Sequence, residues 1–165
     1  MKRVLLIPAL AALLAAGAGT ARAELSLEEA GWQSGRVEKP ARPAVWTGAV
    51  KAKLDPKKAP LLRGKVLLKN RGPVAAEGVL VRYTAAARLA GTWAIPFLID
   101  ERRVPKVGPN SLLEVPLVLS PKLDRYLSKL KRMGFKPDAF KLQAMIEPHA
   151  EAGVRVVESS LEIEP

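Results

Sequence analysis

From Trp46 to the C-terminus, apolar side chains recur at nearly every second position, and this alternation constrains the fold more than any other feature of the chain. Successive side chains of a strand point to opposite faces, so such runs mark strands buried on one side. In VWTGAVKAKL, Trp46, Gly48, Val50, Ala52 and Leu54 share a face that Lys51 and Lys53 avoid. In LLRGKVLLKNRG, Leu62, Val66 and Leu68 alternate with Arg63, Lys65, Leu67, Lys69 and Arg71. Val79, Val81 and Tyr83 keep step in the next run, and Leu113, Val115, Leu117 and Leu119 in a later one. Near the C-terminus, Phe140, Leu142, Ala144 and Ile146 form one face, and Val157, Ser159, Leu161 and Ile163 another.

Punctuation separates these runs. DPKKAP breaks the chain with two prolines after Leu54. Pro96 and Pro116 each remove a ladder donor, which predicts sheet edges or bulges at both places. One segment changes period: in SPKLDRYLSKLKRMGF, Leu123, Tyr126, Leu127, Leu130 and Met133 fall on one helical stripe. Ser120 suits the N-cap and Pro121 the first turn, while Gly134 suits the left-handed position that ends a helix, with Phe135 folded back on it. The predicted helix covers residues 121–133.

About seven strands at spacings of roughly 10–20 residues predict an all-β, antiparallel β-sandwich over residues 45–165, with the helix as crossover between the fifth and sixth strands. Residues 24–44 are polar and rich in Gly and Pro, and read as an N-terminal extension with a helical turn around Leu25 to Ala30 and Trp32 docked on the domain.

Residues 61–119, centred on NRGPVAAEGVLVRY, resemble the small immunoglobulin-like domains of bacterial envelope proteins. The likeness lies in the turn Asn70-Arg71-Gly72 and the following strand with Val79, Val81 and Tyr83. Thr84 stands where that pattern often has Asp, and the helix is an elaboration. The resemblance implies an immunoglobulin-like sandwich with a binding or assembly role rather than an enzymatic one.

The first 23 residues have the three parts of a secretory signal peptide: Lys2 and Arg3, an apolar run from Val4 to Ala16, and Ala21-Arg22-Ala23 before the expected cut. The apolar run is short for a bilayer core of about 30 Å, so no transmembrane segment is expected after cleavage. The expected location is the periplasm, or outside the cell. The absence of cysteine means that the exported domain has no disulfide and must rely on its core, and it excludes thiol-held zinc, iron–sulfur clusters and cysteine nucleophiles.

The chemistry of catalysis is thinly represented. The single histidine, His149, lies in the turn EPHAEAG beside Glu147 and Glu151. Asp100 and Glu101 adjoin Arg102 and Arg103, a pattern of solvated charge rather than of one carboxyl held protonated beside another. No catalytic residue, metal site or cofactor is expected, and a hydrolase around His149 is the weakest reading.

Charge is the more informative quantity. Residues 45–119 carry 13 basic and 5 acidic side chains, against 3 and 4 in residues 24–44 and 8 and 7 in residues 120–165. If residues 46–54 pair with 61–71, then Lys51, Lys53, Arg63, Lys65 and Lys69 share an outer face, with Lys57, Lys58 and Arg71 at its ends. Like charges across strands are mildly destabilising, which raises a polyanion-binding reading: lipopolysaccharide, a wall polymer or an acidic partner. The competing reading is an edge kept soluble by lysine. Nucleic acid is the poorest candidate, because no aromatic ladder interleaves the charges. Lys122, Arg125, Lys129 and Arg132 form a smaller basic stripe on the helix, whose apolar side is expected to cap the sandwich. TWAIPFLI is apolar on both faces and is expected to be covered by the N-terminal extension. Together these features predict a monomeric, exported interaction or assembly module of the envelope.

Overall fold

A computed structural model describes residues 22–37, 43–55, 61–147 and 155–164. The leader up to residue 21, the loop lysines Lys57 and Lys58, and His149 with Glu151 lie outside the described residues. In chain order the strands are β1 (Leu25–Arg36), β2 (Val45–Ala49), β3 (Lys51–Lys53), β4 (Leu62–Asn70), β5 (Ala76–Leu89), β6 (Thr92–Trp93), β7 (Leu98–Val107) and β8 (Ser111–Leu117). The helix α1 (Lys122–Arg132) leads to β9 (Ala139–Glu147) and β10 (Val157–Glu164). One sheet has the order β2-β1-β4-β8, and the other β3-β10-β9-β5, with β6 and β7 both pairing β5. The pairings are antiparallel except that β3 runs parallel to β10. The chain is therefore an all-β sandwich with a single crossover helix among the described residues.

The ten strands among the described residues exceed the expected seven for three local reasons. The first is β1. The expected polar extension with its helical turn does not form; Leu25–Arg36 is instead an inner strand between β2 and β4. A bulge between Leu27 and Glu29 inserts an extra residue, so Leu27, Ala30 and Trp32 all face the core although their spacing is not two throughout. The second is a break at the exposed Val50, where the edge strand passes from one sheet to the other. Ala49 and Ala52 consequently both pack on the core, against the single face expected for Trp46 to Leu54. The third is Pro96, which lies in the loop separating β6 from β7. Pro116 behaves as expected, in the edge strand β8 opposite Lys65.

Elsewhere the alternation matches. Leu62, Val66 and Leu68 of β4 face Val79, Val81, Tyr83 and Ala85 of β5 and Phe140, Leu142, Ala144 and Ile146 of β9 across one core. Trp32, only 2% exposed, spans the gap between the sheets. Its indole Nε1 donates to the Ser159 carbonyl at 3.2 Å, and its ring lies 6.0 Å from that of Phe140. Such an aromatic buries its bulk while satisfying its polar edge. Gly64 permits a close approach of the sheets, since a Cβ there would stand 2.8 Å from Leu142 Cδ2.

Asn70 closes one end of the core. It is fully buried, and its Oδ1 accepts from the backbone N–H of Glu24 at 3.1 Å and of Gly72 at 3.0 Å. Its Nδ2 donates to the carbonyls of Val74 at 2.7 Å and Gly108 at 3.0 Å. One amide thus joins the approach to β1, the turn after β4 and the β7–β8 turn. A Cβ at position 72 would stand 2.6 Å from the Glu24 backbone nitrogen, so the crossing requires glycine.

The helix caps the core through Leu123, with Tyr126 and Leu127 half-buried against it, and Leu130 is buried one turn further on. Its start differs from expectation: the Ser120 hydroxyl donates to Asp124 Oδ2 at 2.7 Å instead of capping a backbone N–H. At its end Gly134 takes φ +75°, and the Phe135 N–H donates to the Leu130 carbonyl at 2.9 Å. The backbone folds back as predicted, yet Met133 and Phe135 are 55% and 51% exposed rather than packed on the helix stripe.

Replacing Trp32 with Ala should lower stability to urea by about 3–5 kcal/mol, as expected for a large aromatic removed from a packed core. Asn70→Ala should cost about 2–3 kcal/mol by leaving buried backbone groups unpaired. Lys69→Ala, on the outer face, should stay within about 0.5 kcal/mol of the parent.

Candidate interaction surfaces

Lys51 and Lys53 do not share the expected outer face with Arg63, Lys65 and Lys69. Residues 46–54 do not pair with 61–71, because β1 lies between β2 and β4 while β3 joins the other sheet. Arg63, Lys65 and Lys69 project from the four-stranded sheet, with Arg71 just past the end of β4. Lys51 and Lys53 lie in the six-stranded sheet, opposite Glu162 and Glu164 in the parallel register with β10.

Two of the four bases on the four-stranded sheet, Lys65 and Arg71, have acidic partners. Arg63 Nε donates to Gln33 Oε1 at 2.7 Å, and its guanidinium lies 4.3 Å from the centre of the Trp46 ring. Gln33 Nε2 in turn donates to Glu114 Oε1 at 3.0 Å, and Lys65 Nζ pairs with Glu114 Oε2 at 3.2 Å. Arg71 pairs with Glu28 at 3.2 Å. The Ser26 hydroxyl, helped by Arg71 and Lys69, holds the Glu28 carboxyl below the ordinary carboxylate range. The row therefore combines acids from β1 and β8 with the bases of β4. Glu28 and Glu114 were visible in the sequence, but only the strand order brings them beside these bases.

A different surface emerges on the outer face of the six-stranded sheet. A groove of about 550 Å³ runs across β7, β5 and β9. Its apolar lining includes Ile99, Met145 and Val156, with Ile99 73% exposed. Thr84 opposite Ile99 and Gln143 opposite Thr84 continue it across the sheet. Polar groups at its rim have partners: Arg82 pairs with Glu147 at 3.2 Å and reaches Glu101 at 4.0 Å, and Gln143 donates to Glu158 at 2.9 Å. The clue in the sequence was the two-faced apolar stretch TWAIPFLI. The expected cover by the N-terminal extension does not occur, since β1 belongs to the opposite sheet. The helix covers part of the stretch instead: Phe97 stacks on Tyr126 at 4.4 Å between centroids. Ile95 and Ile99 remain in solvent.

A smaller groove, about 230 Å³, lies where β7 meets the entrance to α1 and is lined by Tyr83, Arg102, Val118 and Pro121 among others. Lys122 Nζ bonds Asp100 Oδ2 at 2.9 Å across it. That bond and the Glu101 N–H hold the Asp100 carboxyl below its usual range, so Asp100 is an ionised structural partner. Glu101 instead faces Arg82. Tyr83 donates its hydroxyl to the Val118 carbonyl at 3.0 Å, and burial, assisted by Asp100, raises its pKa to about 12.

No protein-family model matches the chain, and no curated protein matches it. Among solved structures, one described as a crystal structure of a protein from Archaeoglobus fulgidus is similar over 85% of this chain and 99% of its own, at 14% identity and a TM-score of 0.28.

The environment of Tyr83 gives stability a signed dependence on pH. An unfolded tyrosine ionises near pH 10, whereas the folded one keeps its proton to about 12, so this group withdraws stability as pH rises between those values. Tyr83→Phe should cost about 1 kcal/mol near neutral pH by losing one hydrogen bond. Denaturant titrations should show that deficit shrinking as the pH rises above 10.

Proposed function

We propose that this chain is an exported, non-enzymatic interaction module of the bacterial cell envelope, immunoglobulin-like in type and released from its leader after Ala23. The support for export is the sequence of the leader. Support for the immunoglobulin-like reading comes from an edge strand that divides between sheets, with β3 parallel to the last strand β10. The observation that carries the interaction reading is the groove over Ile99, Met145 and Val156. Its apolar floor faces solvent while the polar groups beside it already have hydrogen-bond or ion-pair partners, which suits a protein segment presenting an uncharged, apolar side chain. Polyanion binding through residues 51–71 has less support, because those bases divide between two sheets and Lys65 and Arg71 have acidic partners.

A photo-activatable residue placed at position 99 should cross-link in intact cells to one discrete protein, and the same probe at position 69 should not. Ile99→Lys should abolish that adduct when the probe is moved to position 156. Absence of any adduct from both groove positions would remove the interaction reading. The purified exported protein should begin at Glu24 by intact mass; retention of the leader in a cytosolic fraction would remove the envelope assignment.

A further inference from the structure

The helix presents a second surface, independent of the groove. The stripe of Leu123 and Leu130 is buried on the sandwich, so α1 has no free apolar side. Beyond its last turn, however, the Phe135–Leu130 backbone bond and the left-handed Gly134 hold Met133 and Phe135 outward. The loop between β6 and β7 starts near that end, its Ala94 N–H donating to the Ala87 carbonyl at 2.9 Å beside the Arg88–Ala139 pair of β5 and β9, and it displays Ile95, which is 87% exposed. Hydrogen bonds fasten the segment after the helix to the end of β5 and the β5–β6 turn: the Gly91 N–H donates to Asp138 Oδ2 at 2.9 Å, and the Asp138 N–H to the Arg88 carbonyl at 2.8 Å. The stacked pair Phe97 and Tyr126 joins the β6–β7 loop to the helix itself. Three large apolar side chains are thus held in water on ordered loops.

Their neighbours are cationic. Residues 122–138 contain six Lys or Arg and two acids: Asp124, in the first helical turn away from this end, and Asp138, whose carboxylate accepts from the Gly91 N–H. Lys129, Arg132 and Lys136 are exposed and have no acidic partner among the described residues. This differs from the groove, where Arg82 has acidic partners in Glu147 and Glu101. Exposed apolar tips among cations that lack an acidic partner in the described residues fit a bilayer interface: the tips enter the boundary of the acyl chains, while flexible basic heads remain among the anionic headgroups.

We infer that this end of the sandwich docks on an anionic phospholipid surface, with Ile95, Met133 and Phe135 inserting and Lys129, Arg132 and Lys136 contacting the headgroups. The contact is peripheral. The described residues contain no helix long and apolar enough to cross a membrane, and the insertion needs only loop tips. This docking end is separate from the groove and does not depend on it.

Co-sedimentation of the exported protein with vesicles provides the test. It should pellet with phosphatidylcholine vesicles containing phosphatidylglycerol and stay in solution with phosphatidylcholine alone. Replacing Lys129, Arg132 and Lys136 together by Gln should weaken binding on the order of a hundredfold, from about fivefold for each charge. The triple change of Ile95, Met133 and Phe135 to Ser should also release the protein. A Phe135→Trp variant should shift its emission to the blue on adding the anionic vesicles. Ile99→Lys in the groove should leave vesicle binding unchanged, which separates this inference from the proposed protein contact. A parent protein that stays in solution, a Ser variant that pellets like the parent, or an unmoved emission from the Phe135→Trp variant would each overturn it.

Discussion

The insertion of β1 between β2 and β4 is the contact on which the remaining architecture depends. It supplies Leu27, Ala30 and Trp32 to the core and separates two segments that are neighbours in sequence. Trp32 then fixes the distance between the layers: its ring meets Phe140 and its N–H reaches the Ser159 carbonyl. Asn70 holds the approach to the same strand from the other end. A polar amide in a closed core is favourable only when its groups are satisfied, and here both ends of the amide are used.

The same insertion sets the character of both outer faces. Because β1 carries Glu28 and Gln33 to the side of β4, the bases of that strand are met by polar partners instead of by another row of lysines. Across the sandwich, β7 pairs β5 without being covered by the N-terminal segment, so Ile99 stays open beside Met145 and Val156. The helix follows a related logic. Its stripe closes the core, and its terminal reversal leaves Met133 and Phe135 as a projecting edge among cations. One face is mixed in charge, one groove is apolar, and one end is both basic and apolar; each calls for a different kind of contact.

Much of this was legible from residue periodicity. The faces of β4, β9 and β10 correspond to the alternating positions, because a pleated strand with one side in the core has no other way to segregate its side chains. The helix was equally plain, since Leu123, Tyr126, Leu127 and Leu130 follow a period near four. Failures arose where the backbone departs from regularity. The bulge in β1 spaces Leu27 and Ala30 three apart, which reads locally as a helical turn. Val50 reverses the facing of the strand around it, and Pro96 divides a run that looked continuous. The candidate sites suffered more than the fold, because a site joins residues from strands that the sequence does not order. The exposed tip of the helix was missed because Met133 obeys the helical spacing even though the chain has already begun to turn away from the core.

The amino-acid sequence alone determined that strands predominate, that one helix interrupts them, and that an unassisted hydrophobic core must hold them without disulfides. These are local consequences of side-chain period and composition. Only the tertiary structure decided which strands are neighbours, that an apparently polar segment is an inner strand, and which charges meet partners. Those outcomes depend on packing between residues far apart in the chain: Trp32 against Phe140, Lys65 beside Glu114, and Ile99 left without a cover.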